Sequence, residues 1–458
     1  MARDTIQSLH HSIPAAEGMQ NAADKLSSNA TAHRFQWLLF LSFMFCILDG
    51  AIRKWLLRDT ENFWKYAPYF AKDVVFVALV IFCKPVSWST PAKTLFRFLT
   101  IGLATSAVGV VISLSLNWQF LSPVGGFLTF RSMFLLPLLA LFCIPRLQGL
   151  KIERLALLIG FFTLVNAALG TLQYSSPKDS PINYYASKEY ETVVFEENVR
   201  AMGTFPYITG FTTMAIVGAW AGLVLLSYAP ERKRYLWMGL LVYVGALWCA
   251  LLSISRGPTI IILGLFIVWL FSARRVVENL VRVGAVIAGL ALTLVFAGRF
   301  SVIQNASDVL MARTEAADDT IEQRVLFPLN DVLEVSSVAP FGAGFGSEQV
   351  GGMFIDTGTM SFRSFEGQFP RIIIEAGVLG VVGFIGVCLG LLKSLYDTKL
   401  SAPSEATRRT IVVTIFLVAV LFYGNVIFDH VASFFVWAIS AAVLGSASGQ
   451  SQLVTRAD

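Results

Sequence analysis

Arginine is the residue of this chain best able to do chemistry, because so much of it stands where charge is expensive. Arg53, Arg131, Arg200, Arg256 and Arg371 lie inside apolar runs or near their ends, and Arg324 lies in the long segment between two of them. A charge at bilayer depth costs roughly 2.5–3.5 kcal/mol on insertion scales, so it persists only beside a partner or a wet cavity. The planar guanidinium fork suits phosphate and pyrophosphate oxygens. For any single arginine, snorkelling or an ion pair with Asp49, Asp73 or Glu375 is the simpler account. A whole group on one side of a membrane points instead to an anionic ligand.

Three local patterns sharpen this reading. Ser253-Ile-Ser-Arg-Gly-Pro258 reads as a tight turn between two helices that would aim Arg256 into an outer cavity. Arg200-Ala-Met-Gly-Thr-Phe-Pro206 sets an arginine just before a helix beginning at proline, and a helix N-terminus itself attracts anions. Phe341-Gly-Ala-Gly-Phe-Gly346 is glycine-rich but lacks the Lys-Ser/Thr of a phosphate-binding loop. It reads as a tight turn that lets backbone approach a ligand or a helix.

The elements that must position these residues are membrane helices. Of 458 residues 55% are apolar and only 14% charged, which excludes a soluble enzyme, a secreted disulfide scaffold and a disordered regulator. That inventory matches twelve spans of about 20 residues. Apolar runs lie near 35–56, 65–83, 95–116, 124–144, 153–174, 206–228, 235–253, 258–273, 283–299, 371–392, 410–428 and 430–446. With the N-terminus inside, every inner connection carries at least three cations, among them Arg232, Lys233 and Arg234, while the turns near 117–123 and 428–430 carry none. The expected fold is an all-α polytopic membrane protein of about twelve transmembrane helices with both termini cytoplasmic.

The expected division is a disordered cytoplasmic tail over 1–34, helices one to nine over 35–299, a large periplasmic loop over 300–370, helices ten to twelve over 371–446 and a second cytoplasmic tail over 447–458. The large loop should hold one or two helices lying over the membrane face. Glycines 377, 380, 383, 386 and 390 recur at three- and four-residue spacing, a pattern for close helix packing. The net charge of +5 gives no bulk attraction to nucleic acid. Cys46, Cys83, Cys143, Cys249 and Cys388 sit inside apolar runs with no CxxC, which reads as packing. No His/Cys cluster in the outer loops suggests a metal, and no cofactor is expected.

These residues resemble the bacterial O-antigen ligase and polymerase superfamily of membrane glycosyltransferases. Four pieces carry the likeness, over about two-thirds of the chain: the Arg200–Pro206 segment, Leu252-Ser-Ile-Ser-Arg-Gly257, Arg324 followed by Pro340–Gly346, and the stretch from Glu366 to Gly380. Asp49-Gly-Ala-Ile-Arg-Lys-Trp55, with Lys72-Asp73, also looks like a pattern of exopolysaccharide polymerase-like members. Ligases of the family carry a histidine nine residues before the Glu-x-Gly that opens the next helix. Here that position is Glu366, and none of His10, His11, His33 and His430 lies in the loop. A glutamate there is similar to polymerase-like relatives.

The resemblance implies a glycosyltransferase C-like architecture in the bacterial inner membrane, with an active site facing the periplasm. It implies a metal-independent polymerase for exopolysaccharide or the O-antigen of lipopolysaccharide, moving a glycan from undecaprenyl pyrophosphate to a sugar hydroxyl of a lipid-linked repeat unit. Arg200, Arg256 and Arg324 would hold the pyrophosphate, with Arg131, Arg53 and Arg371 adding to the field, and Glu366 would be the catalytic base. The implied partners are the lipid-linked glycan, membrane lipid and a chain-length regulator. The rivals are ligase-type transfer to lipid A core or another acceptor, a lipid-linked oligosaccharide flippase, and a scaffold without catalysis. A flippase should show two related halves, and no convincing repeat is present.

Overall fold

Long apolar runs can bury their backbone polar groups in a membrane only by closing them into helices, and this sequence does so almost throughout. The computed structural model describes residues 37–58, 60, 66–82, 88–118, 123–186, 192–195, 198–273, 301–315, 321–346, 367–424 and 429–455. Helix α1 runs over 37–51 and continues as a π turn, Ile52–Leu56. Then come α2 (Ala67–Phe82), α3 (Thr90–Asn117), α4 (Val124–Arg146), α5 (Ile152–Tyr174), α6 (Ile208–Ser227), α7 (Arg234–Leu252) and α8 (Arg256–Phe271). Two further helices, α9 (Ser301–Glu315) and α10 (Ile321–Val338), precede α11 (Gln368–Leu400), α12 (Glu405–Tyr423) and α13 (His430–Thr455). A two-residue antiparallel ladder, β1 (Val194–Phe195) with β2 (Asn198–Val199), lies before α6.

Among the described residues eight helices are long and apolar enough to cross a membrane: α3 to α7 and α11 to α13. Helices α2 and α8, at 16 residues each, are shorter. The expected ninth span, 283–299, lies outside the described residues, as do both tails except 447–455. Helix α6 opens at Ile208, not at Pro206, because Pro206 and Tyr207 belong to the irregular segment before it. Helix α11 begins three residues before the expected start and continues to Leu400.

Helix α13 lies at the centre, with its whole spanning window buried. Trp437, Phe434 and Phe435 pack there against Phe43, Phe76 and Phe422. The glycine spacing of α11 meets α3. A Cβ on Gly383 would lie 2.3 Å from the Gly102 carbonyl, and one on Gly102 would lie 2.6 Å from the Gly383 carbonyl. Only glycine allows two helices to touch backbone to backbone in this way. Outward-facing Ile101, Val111, Phe161, Trp237, Ile260 and Val382 are exposed, as a lipid-facing belt requires. Trp118 at the end of α3 is 74% exposed and Trp55 38%, in keeping with interfacial positions. Of the five cysteines, Cys46, Cys143, Cys249 and Cys388 are buried thiols outside any disulfide, and Cys83 lies outside the described residues.

The two ends of the bundle differ. At one end Gly445 and Gly449 of α13 press on the 147–149 turn, Trp88 meets Phe142 edge to face, and Arg408 and Arg409 reach Ser272 and the Trp269 ring. Arg146, Lys151, Arg154 and Arg232–Arg234 belong to this end. The opposite end gathers the other cations of interest, as follows.

Candidate functional site

The Arg200–Pro206 segment forms the floor of this end. It is irregular backbone buried between α1, α5 and α7, so its amides and carbonyls need partners. Helix α5 provides them from one face, through Asn166 and Gln173, seven residues apart. Gln173 Oε1 accepts from the amides of Met202 and Gly203 at 3.0 and 2.7 Å, and its Nε2 donates to the Ile182 carbonyl at 2.9 Å. Asn166 Oδ1 accepts from the Thr204 amide at 2.8 Å. Thr204 Oγ1 donates to the Ile47 carbonyl of α1 at 2.8 Å, and Lys54 Nζ donates to the Gly203 carbonyl at 2.6 Å. Gly203 has φ +56, and a Cβ there would lie 2.1 Å from Asn166 Oδ1, so the turn admits no side chain.

Arg200 leads into this segment and joins it to the Ser-Arg-Gly turn. Its Nε donates to the Ser253 carbonyl at 3.0 Å and its Nη2 to Ser255 Oγ at 2.8 Å. The Ala201 amide donates to the Leu252 carbonyl at 3.1 Å, which fastens the same two segments through backbone. Ile254 carries the turn with φ +50, an unusual conformation for a β-branched residue. Ser255 then caps α8 in an extended conformation, and Arg256 is the first residue of that helix, half-buried. Two pieces far apart in sequence are thereby brought together. Burial raises the Tyr185 phenol above its usual range, opposed by a hydrogen bond with the Val193 backbone and by the Arg200 charge.

Arg131 and Arg53 sit deeper, and here the simpler reading of the sequence is realised. Arg131 is 1% exposed and grips Asp73 of α2 with both arms, Nε to Oδ2 at 2.5 Å and Nη2 to Oδ1 at 2.9 Å. A π turn, Arg131–Leu135, interrupts α4 at this point, just before Pro137. Proline leaves a carbonyl one turn back without its donor, and a π turn is one way a helix absorbs that. Arg53 Nη1 lies 3.6 Å from Asp49 Oδ2 and over the rings of Tyr66 and Tyr69. Tyr69 is a hub: Arg53, Lys72 and Arg131 all lie within 5.9 Å of its ring centroid, and the His430 ring is 4.5 Å away. Lys72 Nζ donates to the Tyr69 carbonyl.

The glycine-rich turn docks on a helix. The Ala343 and Gly344 amides donate to the Ile374 carbonyl at 2.6 and 3.2 Å, and the Val378 amide donates to the Pro340 carbonyl at 2.9 Å. These bonds fill the gap that a break in α11 opens at Gly377, whose φ is +67. Asn117 Nδ2 at the end of α3 donates to the Gly342 carbonyl at 2.9 Å, closing the same corner. Arg371 and the buried Glu375 stand one turn apart on α11 beside this corner.

The side chain of Arg324, on α10, lies outside the described residues, and so does Glu366. Sequence reasoning did not single out Asn166, Gln173 or the pairing of Asp49 with His430. A seven-residue spacing of amides in an apolar helix was the signal for Asn166 and Gln173. Among the described residues no three His, Cys, Asp or Glu side chains gather as metal ligands would.

No family model matches the chain, and no curated protein sequence does either. Among solved structures, a chain of a peptidoglycan synthase complex that coordinates polymerization and crosslinking is similar over 78% of this chain and 97% of its own, at 17% identity and a TM-score of 0.38. The chain itself is a helical bundle whose described residues include eight helices long and apolar enough to cross a membrane.

Proposed function

We propose that this chain is an inner-membrane polysaccharide polymerase. It would transfer a glycan from undecaprenyl pyrophosphate to a sugar hydroxyl of a lipid-linked repeat unit on the periplasmic side. The observation that carries the reading is the junction of Arg200 with Ser253 and Ser255, because it joins two of the four pieces on which the family resemblance rests. Arg200 and Arg256 then stand within one small assembly at the end of the bundle opposite the Arg232–Arg234 cluster. By the positive-inside rule that cluster marks the cytoplasmic side, which supports a periplasmic site.

In this reading Arg200, Arg256 and Arg324 hold the pyrophosphate as charge develops on the leaving oxygen. Arg131 and Arg53, engaged with Asp73 and Asp49, contribute through the field and through the rigidity of the wall. Arg371 adds to the field from α11. Glu366 is the base implied by the resemblance. Metal independence belongs to the same proposal, with arginine taking the place of a divalent ion.

The deciding experiment is the size distribution of glycan on undecaprenyl pyrophosphate in a strain lacking this chain. Single outward-facing repeat units support a polymerase. Full-length polymer left on the carrier would mean a ligase. Single units trapped facing the cytoplasm would mean a flippase and would end the enzyme reading.

A further inference from the structure

His430 opens α13 at the end of the bundle that holds the buried arginines; the other three histidines lie outside the described residues. Its Nε2 faces Asp49 Oδ2 at 3.6 Å, and the same oxygen faces Arg53 Nη1 at 3.6 Å. The Asp49 side chain is 1% exposed and that of His430 19%, so the imidazole is the member of the pair that opens outward. The Tyr69 ring, 4.5 Å from the imidazole ring, fixes its plane from α2. Lys72 of α2 and Asp429 are the other charges that act on it. Asp429 is itself engaged: Oδ1 accepts from the Val431 amide at 2.9 Å, and Oδ2 accepts from Thr213 Oγ1 at 3.5 Å. The start of α13 is therefore fixed, and the imidazole with it.

A buried carboxylate facing one imidazole nitrogen sets the ring's orientation and stabilises the imidazolium once the other nitrogen takes a proton. Separations in a free enzyme are commonly longer than in the reacting complex. The pair also shares a wall with Arg200. Gly50, next to Asp49, lies so close to the following segment that a Cβ there would be 2.3 Å from the Pro206 nitrogen. Lys54, one turn on, holds the Gly203 carbonyl.

The geometry points to Asp49 and His430 as a proton-accepting dyad for the hydroxyl that attacks the lipid-linked sugar. The inference rests on the glycosyl-transfer reading above and gives the base a different address from Glu366. The hydroxyl oxygen forms the new bond to the anomeric carbon. The bond from that carbon to the pyrophosphate oxygen breaks, and its electron pair stays on the pyrophosphate. The hydroxyl proton passes to the imidazole nitrogen that does not face Asp49, and from there to solvent. His430 is the catalytic residue and Asp49 a positioning residue.

The test uses the full-length chain in proteoliposomes, supplied with undecaprenyl-pyrophosphate-linked repeat units taken from a strain that lacks it. A neutral imidazole is needed, so the wild-type profile should show an acid limb, the rate falling as the imidazole takes up its proton. His430→Gln should lower kcat by about 10²- to 10⁴-fold, the usual worth of general base catalysis, and abolish that acid limb. His430→Ala should regain part of its rate when imidazole is added, and Asp49→Asn should move the limb. An unchanged rate and profile in His430→Gln overturns the dyad. So does a lost rate with neither a changed limb nor imidazole rescue, which would make His430 structural. If the wild type polymerises and Glu366→Gln alone removes the limb, the dyad falls while the polymerase reading stands. If the wild type makes no polymer from these units, both fall together.

Discussion

Replacing Asp73 with asparagine isolates the energetics of the deep arginine. The wild-type pair is bidentate, at 2.5 and 2.9 Å, with side chains 1% and 9% exposed. Asparagine keeps a hydrogen-bond acceptor but leaves the guanidinium as an uncompensated buried charge. Breaking a buried pair from one side costs about 3–5 kcal/mol, against a total stability of about 5–15 kcal/mol. A neutral interhelical hydrogen bond in a membrane is worth only about 0.6 kcal/mol, so a loss of several kcal/mol reports charge. Removing both partners, Asp73→Leu with Arg131→Met, should return stability to near wild type, because the desolvation cost goes with the charges. The assay is thermal unfolding in detergent, followed by the soluble monodisperse fraction, for the singles and the double. The reasoning fails if Asp73→Asn is as stable as wild type, or if the double loses the sum of its singles. A stable double variant also reads out function: full polymer synthesis would show that Arg131 serves only the wall, and loss would show that its charge acts on the ligand.

Three further perturbations test other parts of the same end. Gly377→Ala places a Cβ 2.7 Å from the Pro340 carbonyl at φ +67, so it should cost at least about 1–3 kcal/mol and lower the melting temperature. Gln173→Leu strands the buried Met202 and Gly203 amides at about 1–3 kcal/mol each, and hydrogen exchange of those amides should speed up. Arg200→Lys cannot reach both Ser253 and Ser255, and polymer yield in complemented cells should fall at least about tenfold with the protein still inserted. Wild-type yield from that variant would remove Arg200 from the pyrophosphate assignment.

The helices were legible because long apolar runs bounded by cations leave the backbone one solution in lipid. The turns were legible in kind but not in partner. Phe341–Gly346 reads as a close backbone approach to a ligand or a helix, and only the fold shows that it fills the break at Gly377. The arginines divide similarly. Residue type could not separate Arg131, held by Asp73, from Arg200, held by a carbonyl and a hydroxyl, because both stand beside apolar runs. The difference lies in which neighbouring helix presents a carboxylate, and that depends on packing between α2 and α4. Two further features leave no plain sequence signature. The π turns at Ile52–Leu56 and Arg131–Leu135 shift the phase of a helix without altering its composition. His430 opens a helix with no local hint that Asp49, 381 positions earlier, will face it.

The polar inventory of the bundle sets this end apart from the other. Irregular backbone at membrane depth survives only when protein or water satisfies it. Segments 200–206 and 340–346 are irregular backbone packed among the helices, and named groups satisfy each: Gln173, Asn166 and Lys54 for the first, Ile374, Val378 and Asn117 for the second. A chain that needed only to span the bilayer would have no use for these clamps, since an uninterrupted helix satisfies itself. At the opposite end Arg146 donates to the Phe142 carbonyl, and Arg408 and Arg409 pair with Glu405, contacts that lie within or beside their own helices. Among the described residues the bundle thus gathers these clamped turns, the Arg131–Asp73 and Arg53–Asp49 pairs and the one described histidine around one set of helix ends. Arg200 enters the clamped segment at one end and Gly50, the neighbour of Asp49, closes on Pro206 at the other, so the proposed anion site and the proposed dyad are tied to one stretch of fixed backbone.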